Sequence, residues 1–260
     1  MNAISIPRKP ALALDRLIVW AAPVSLVLLW ILLSSVEWIP EQLLVSPSKV
    51  IEALGELIES GELAEHLRKS LYRLTLGFFA GASLGLVFGV LQGLFKTVED
   101  YCAPLFNAVR QVPSIAFIPM LILIFGIEET FKIIIVAKAA FFPVALATYD
   151  SVKWLPKQYF EVAKIYQCPA WPLIRNIVIP ATVPQILTGL RLSLSRSWMV
   201  LVAAELMAAD SGIGQMMEWG RQMFRMDIVV VGVFITGLIG FSLDRGFQWV
   251  ESRLVRWKKY

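Results

Sequence analysis

Long apolar runs constrain this chain more than any other feature. Leu17–Val36 carries no charged residue, and comparable runs recur at Leu74–Phe95, Pro104–Ile127, Phe131–Tyr149, Ile186–Ala209 and Ile228–Phe247. A hydrocarbon core about 30 Å thick takes about 20 helical residues to cross, and each run has roughly that length. The expected fold class is therefore an all-α membrane protein with about six transmembrane helices, built as one transmembrane domain over residues 1–260 with its spans between 17 and 247. Composition agrees: 57% of the residues are hydrophobic, 17% are charged and the mean hydropathy is +0.67, whereas soluble domains carry about 25% charged residues.

Leu17–Val36 follows Arg8, Lys9 and Arg16. It is longer than the about 7–15 apolar residues of a signal peptide and lacks a small-residue cleavage site, so it reads as a retained span. Placing both termini in the cytoplasm puts most Lys and Arg inside and leaves Lys49, Arg68, Lys69, Lys132, Arg221 and Arg225 outside, as the positive-inside rule requires. The net charge of +4 then reflects membrane topology and not nucleic-acid binding. Cys102 and Cys168 both fall on the cytoplasmic side, where a structural disulfide is not expected.

The outer segment 37–70 is acidic, with an amphipathic helix in its middle. Ser46 is an N-cap candidate, Pro47 suits the first helical position, and Gly61 suits the position just past the end. Its apolar face of Val50, Ile51, Leu54, Leu57 and Ile58 fits either a partner-facing surface or a helix resting on the bundle or lipid. In the second span Gly77, Gly81, Gly85, Gly89 and Gly93 recur every four residues. Such a stripe lets another helix backbone approach closely; its neighbour could lie in the same chain or in a second copy. In the third span Pro113 and Pro119 predict a kinked or broken helix, because proline lacks an N–H and clashes with the preceding turn.

Charges within spans are costly and usually face a bundle interior or water. Arg110, Lys138, Arg191, Arg196 and Glu205 are the candidates. Arg110 and Arg191 lie close enough to the cytoplasmic ends to snorkel. With Pro113 and Pro119 at the broken helix, Arg110, Lys138, Arg196 and Glu205 are candidates for a translocation pathway that tolerates an anion. Arg196 and Glu205 are nine positions apart, about 13 Å along one helix, so they cannot pair with each other. There is no GxxxxGK[ST] phosphate loop, and no metal constellation surrounds the single histidine, His66, so no catalytic residue, metal ligand or cofactor site is expected. Ser211–Gly214 reads as a tight outer turn.

Between the fourth and fifth spans, residues 152–184 form a cytoplasmic insert, EVAKIYQCPAWPLIRNIVIP at its centre. It reads as two short helices at an angle, broken at Cys168-Pro169, the second ending before Pro180. The insert resembles the signature of binding-protein-dependent ABC importer permeases: EAA, three residues, G, nine residues, I, one residue, LP. Glu161-Val162-Ala163, Gln167 and Ile177-Val178-Ile179-Pro180 occupy that frame, with Val162, Gln167 and Ile179 departing from its commonest letters. The similarity runs from about Pro47 to Trp249 and is strongest to permeases of the nitrate, sulfonate and taurine group, in RQVPSIAFIPMLILIFGI, PQILTGLRLSLSRSWMVLVAAELMAADSGIG and DIVVVGVFITGLIG.

The resemblance implies a type I importer permease fold in a bacterial inner membrane. It implies a second permease copy, a homodimer by preference, two ATPase subunits that hold the ATP and Mg, and an extracytoplasmic solute-binding protein. Glu161, Val162, Ala163, Gln167, Ile177 and Pro180 become the ATPase-docking residues, with Glu161 facing a basic group of the ATPase. The implied solute is a small anion, a sulfonate or taurine first, with nitrate, bicarbonate or a pyrimidine-type solute as alternatives. A secondary transporter driven by an ion gradient is the rival from another class; it needs no docking helices and usually shows an internal repeat, which this sequence lacks.

Overall fold

A computed structural model describes residues 13–35, 44–156, 158, 161, 163 and 165–255. Every regular element among them is helical: α1 Ala13–Ser34, α2 Pro47–Glu59, α3 Glu62–Leu94, α4 Lys96–Gln111, α5 Ile118–Phe125, α6 Glu129–Lys153, α7 Ala170–Leu173, α8 Ile179–Met207, α9 Ile213–Gln222 and α10 Met226–Leu254. Among the described residues, four helices are long and apolar enough to cross a membrane: α3, α6, α10 and the stretch Trp171–Met207 that contains α8. The bent pair of α4 with Ser114–Phe125 supplies a fifth span if its halves are counted together. The first expected span corresponds to the 22 residues of α1.

Helix α1 leaves its side chains largely exposed, Leu26 and Leu32 among them, as a lipid-facing helix does when lipid is as apolar as its own surface. It is held at Trp30, whose Nε1 donates to the Val45 carbonyl at 3.0 Å and whose ring stacks on Phe234. Helix α2 starts and stops where its caps indicate, with Pro47 in the first turn and Gly61 at φ +77°. Its expected apolar face is split. Val50, Ala53 and Leu57 pack with Met216, Ile228 and Val231, while Ile51 and Ile58 remain 70% and 60% exposed.

Helix α3 begins at Glu62, well before the expected start at Leu74, so residues 62–70 of the outer segment are the helical beginning of this span. Its 33 residues reach about 50 Å at 1.5 Å per residue. All five stripe glycines face α6 of the same chain. A Cβ built on Gly81 would stand 2.1 Å from the Ala137 carbonyl oxygen, one on Gly77 2.6 Å from Val136 Cβ, and one on Gly89 2.5 Å from the Ala145 carbonyl oxygen. A Cβ on Gly85 or Gly93 meets Phe141 or Val152 at 2.7 and 2.9 Å. Gly189 of α8 repeats the device against Ala147 at 2.3 Å. Helix α6 is thus gripped between α3 and α8 by backbone-close contacts.

The third expected span is corrected in detail. Its helix starts at Lys96, with Pro104 inside α4, and the break falls at Val112–Pro113. Val112 is extended (φ −75°, ψ 120°), the conformation a following proline imposes. The chain bends by 91° there, passes through a 3₁₀ turn at Ser114–Phe117 and enters α5 with Pro119 in the first turn. Proline is tolerated in that turn, so Pro119 starts a helix and does not interrupt one. The insert's second helix also departs from expectation: it does not stop before Pro180. A π turn at Ile174–Val178 joins α7 to α8, and the wider turn accommodates a proline that can neither donate to nor pack on the preceding turn.

Candidate functional site

Three groupings of polar residues stand out. The first is the cytoplasmic insert, where Glu161 is exposed and helical and Ala163 is 6% exposed. Val162 lies outside the described residues. The Cys168 amide donates to the Ala163 carbonyl at 2.9 Å, and Gln167 takes φ +48°. A six-to-one hydrogen bond over a left-handed residue is the Schellman helix end, which favours glycine. Gln167 therefore stands where the backbone asks for glycine, and it adopts the left-handed conformation without one. Ile165, Tyr166 and Trp171 are 78%, 80% and 68% exposed, so the turn presents apolar and aromatic surface around Glu161. Ile177 and Pro180 are half-buried at the π turn and the start of α8.

The second grouping is a cavity of about 320 Å³ opened by the break after α4. Arg110 from the end of α4, Pro113 and Ser114 from the break, Lys138 from α6 and Arg196 from α8 line it together. The Lys138 ammonium lies 4.0 Å from the Phe117 ring centroid and 5.3 Å from that of Phe142, with the Ser114 hydroxyl at 3.5 Å. Aromatic faces attract a cation while leaving its hydrogen-bond donors open to a ligand. Arg196 is exposed. Among the described residues it makes no hydrogen bond or ion pair. Ile115, Phe142, Met199 and Val200 give the remaining wall an apolar character. Pro119 and Glu205 are not in this lining. Arg191 is also elsewhere, 3.6 Å from both Asp244 and Glu251 of α10.

The third grouping is one the sequence did not announce. Arg73 is 0% exposed and uses all its donor directions: Nε and Nη2 donate to the two Glu129 oxygens at 2.6 Å each, Nη1 to Glu205 Oε1 at 2.7 Å and the Ser211 carbonyl at 2.5 Å, and Nη2 to Ser211 Oγ at 2.7 Å. Glu205, 1% exposed, also accepts from Ser70 Oγ at 2.8 and 2.9 Å and from the Gly214 amide at 3.1 Å. Ser70 accepts from the Ile213 amide at 2.9 Å, and His66 Nδ1 from the Gly212 amide at 3.0 Å. Gly212 is required there, because a Cβ would come within 2.3 Å of the Glu205 carboxylate. The SGIG segment is thus a turn folded around a buried carboxylate, and it ties α3, α6 and α8 to the start of α9. Lys132, expected at the outer end of the fourth span, is 1% exposed beside it. One signal was available: the four-residue register of the glycine stripe, continued back from Gly77, falls on Arg73.

No group of His, Cys, Asp and Glu among the described residues could hold a metal ion. Charge is placed in the cavity, at the outer network and on the cytoplasmic turn.

Known proteins match this architecture. Residues 81–256 match the family model described as "Binding-protein-dependent transport system inner membrane component". A Bacillus subtilis (strain 168) protein named as an aliphatic sulfonates transport permease, SsuC, is 36% identical over 236 residues, covering 91% of this chain and 86% of that protein. The Escherichia coli (strain K12) taurine transport system permease protein TauC is 32% identical, covering 89% and 86%. A crystal structure of an amino acid ABC transporter aligns with a TM-score of 0.61 at 15% identity, over 79% of this chain and 98% of that one; it shows the shared fold. With sequence relatives, fold and helix plan in agreement, the chain belongs to the family of binding-protein-dependent transport system inner membrane components, within the nitrate, sulfonate and taurine permease group.

Proposed function

We propose that this chain is the transmembrane subunit of an ATP-driven importer that carries a small organic anion, a sulfonate or taurine, across the inner membrane by alternating access. The observation that carries the solute class is the cavity: Arg110, Lys138 and Arg196 converge from three segments of the chain on one space of about 320 Å³. Separate residues in the sequence, they make a concentrated positive site in the fold. Similarity to proteins named for sulfonate and taurine transport supports the same class.

In this reading two copies of the chain form the pathway, and an extracytoplasmic binding protein delivers the solute to the outer face. Both termini are cytoplasmic. Two ATPase subunits, which hold ATP and Mg, dock on the turn carrying Glu161, Ala163, Ile165, Tyr166 and Trp171. Val162, Gln167, Ile177 and Pro180 belong to the same docking element. The junction of that turn with α8 is short: Pro180 follows the π turn directly. A push on the turn is thereby delivered to the helix that bears Arg196. Only a partner whose contacts differ between the two states can shift the equilibrium between them, and ATP-dependent closure of the ATPase pair supplies that difference.

The test is co-purification with a candidate ABC ATPase subunit, followed by ATP-driven uptake in vesicles. Glu161→Lys reverses the charge at an exposed position and is expected to reduce both association and uptake. Unchanged association and uptake would remove Glu161 from the docking role.

A further inference from the structure

The cavity discriminates between the two solutes named above. Among the described residues that line it there is no carboxylate. The lining holds three cations (Arg110, Lys138, Arg196), the Ser114 hydroxyl and an apolar wall that includes Ile115, Phe142, Met199 and Val200. Asp150, further along α6, lies outside the lining. From Pro143, which does line the cavity, Asp150 is about 10 Å further along α6 at 1.5 Å per residue.

A sulfonate head is a spread monoanion with three acceptor oxygens. Lys138, whose one hydrogen bond is a long donation to Ser114 among the described residues, Arg196, which makes no hydrogen bond or ion pair among them, and the Ser114 hydroxyl suit it. The volume sits at the low end of the range of about 300–1,000 Å³ found for ligand pockets, so the tail must be short. Where the tail lies decides selectivity. An ethyl or propyl tail meets an apolar wall, whereas a tail ammonium meets like charges and no carboxylate among the described lining residues, and an unpaired cation in such a place is disfavoured.

Resting on the permease reading above, we propose that this chain itself holds a sulfonate-binding site, formed by Arg110, Lys138, Arg196 and Ser114, that selects short alkanesulfonates with uncharged tails over the zwitterion taurine. Selection of solute is then shared by the permease and is not left wholly to the external binding protein.

The test uses the full permease purified with its ATPase, in lipid nanodiscs and without the binding protein. Calorimetric titration compares ethanesulfonate with taurine, which is the same molecule carrying a terminal ammonium. Ethanesulfonate is expected to bind about tenfold or more tightly than taurine, the scale of one unpaired polar group. Lys138→Gln and Arg196→Gln should each weaken ethanesulfonate by about tenfold. Met199→Glu, in the cavity lining and 70% exposed, provides a carboxylate there and should narrow the gap by raising taurine binding. Equal or tighter binding of taurine overturns the proposal, as does ethanesulfonate binding that Lys138→Gln and Arg196→Gln leave unchanged. A complex that binds neither sulfonate alone, yet imports one with ATP and its binding protein, also overturns the site while leaving the permease function standing. Absence of any ATP-driven sulfonate uptake by the full system overturns the function itself.

Discussion

Replacing Arg73 by leucine should be among the most damaging single changes in the bundle. The guanidinium makes five hydrogen bonds, shared among Glu129, Glu205 and Ser211. Without it Glu205, whose side chain is 0% exposed, keeps Ser70 and the Gly214 amide, with Lys132 nearby, but loses its one ion-pair partner among the described residues. An uncompensated buried charge of this kind costs about 3–5 kcal/mol. Glu129 differs, because its side chain is 45% exposed. Glu129→Gln leaves Arg73 paired with Glu205 and should cost about 1 kcal/mol. Arg73→Leu combined with Glu205→Leu removes both charges together, and replacing a buried pair by apolar groups is often neutral, so the double variant should recover most of the loss. Unfolding of the purified chain in mixed micelles, with SDS as denaturant, measures all four free energies. Arg73→Leu costing no more than Glu129→Gln, or a double variant no better than Arg73→Leu alone, refutes the reasoning.

Other outcomes follow from the same contacts. Gly81→Ala places a methyl 2.1 Å from a backbone oxygen and should destabilise the fold by about 1–3 kcal/mol in the same assay, whereas Gly237→Ala, which meets nothing within 4 Å, should leave it unchanged. Gln167→Gly relieves a left-handed non-glycine residue and should stabilise the docking turn by about 1 kcal/mol, seen as slower amide exchange at Cys168. Gln167→Val should do the opposite, since a β-branched residue tolerates positive φ least. Glu56→Ala removes an exposed partner of Arg225, which keeps Asp227 at 2.5 Å, so its effect on unfolding should stay below about 1 kcal/mol.

How much of this could be read in the sequence depended on whether the signal was local. The apolar runs, the caps of α2 and the glycine register are periodic features of single helices, and the chain displays them directly. Arg110, Pro113, Lys138 and Arg196 stand out in the sequence only singly, each as costly in a span or as breaking a helix; only the fold shows that they share a cavity. The partner of the glycine stripe had no local mark, since Gly77 and Val136 are brought together by topology alone. The Arg73–Glu205 pair joins residues 132 positions apart. Arg73 lies just before the expected start of its span, so the sequence offers Glu205 no partner, and only the fold brings it to Arg73 and the SGIG turn. Pro180 read as a stop because proline usually is one, and the π turn that carries the helix through it leaves no clear trace in composition. At Gln167 the signature frame marked the position, and the backbone angle supplies its physical meaning: a helix end built for glycine and held without it.

The most direct measurement is ethanesulfonate uptake into proteoliposomes containing the permease with its ATPase, with the binding protein outside and ATP either sealed within or omitted. The account requires uptake that depends on enclosed ATP, persists when ionophores collapse every ion gradient, and falls on Glu161→Lys or Arg196→Gln. Uptake without the ATPase subunit, or uptake abolished by ionophores while ATP remains, would contradict it.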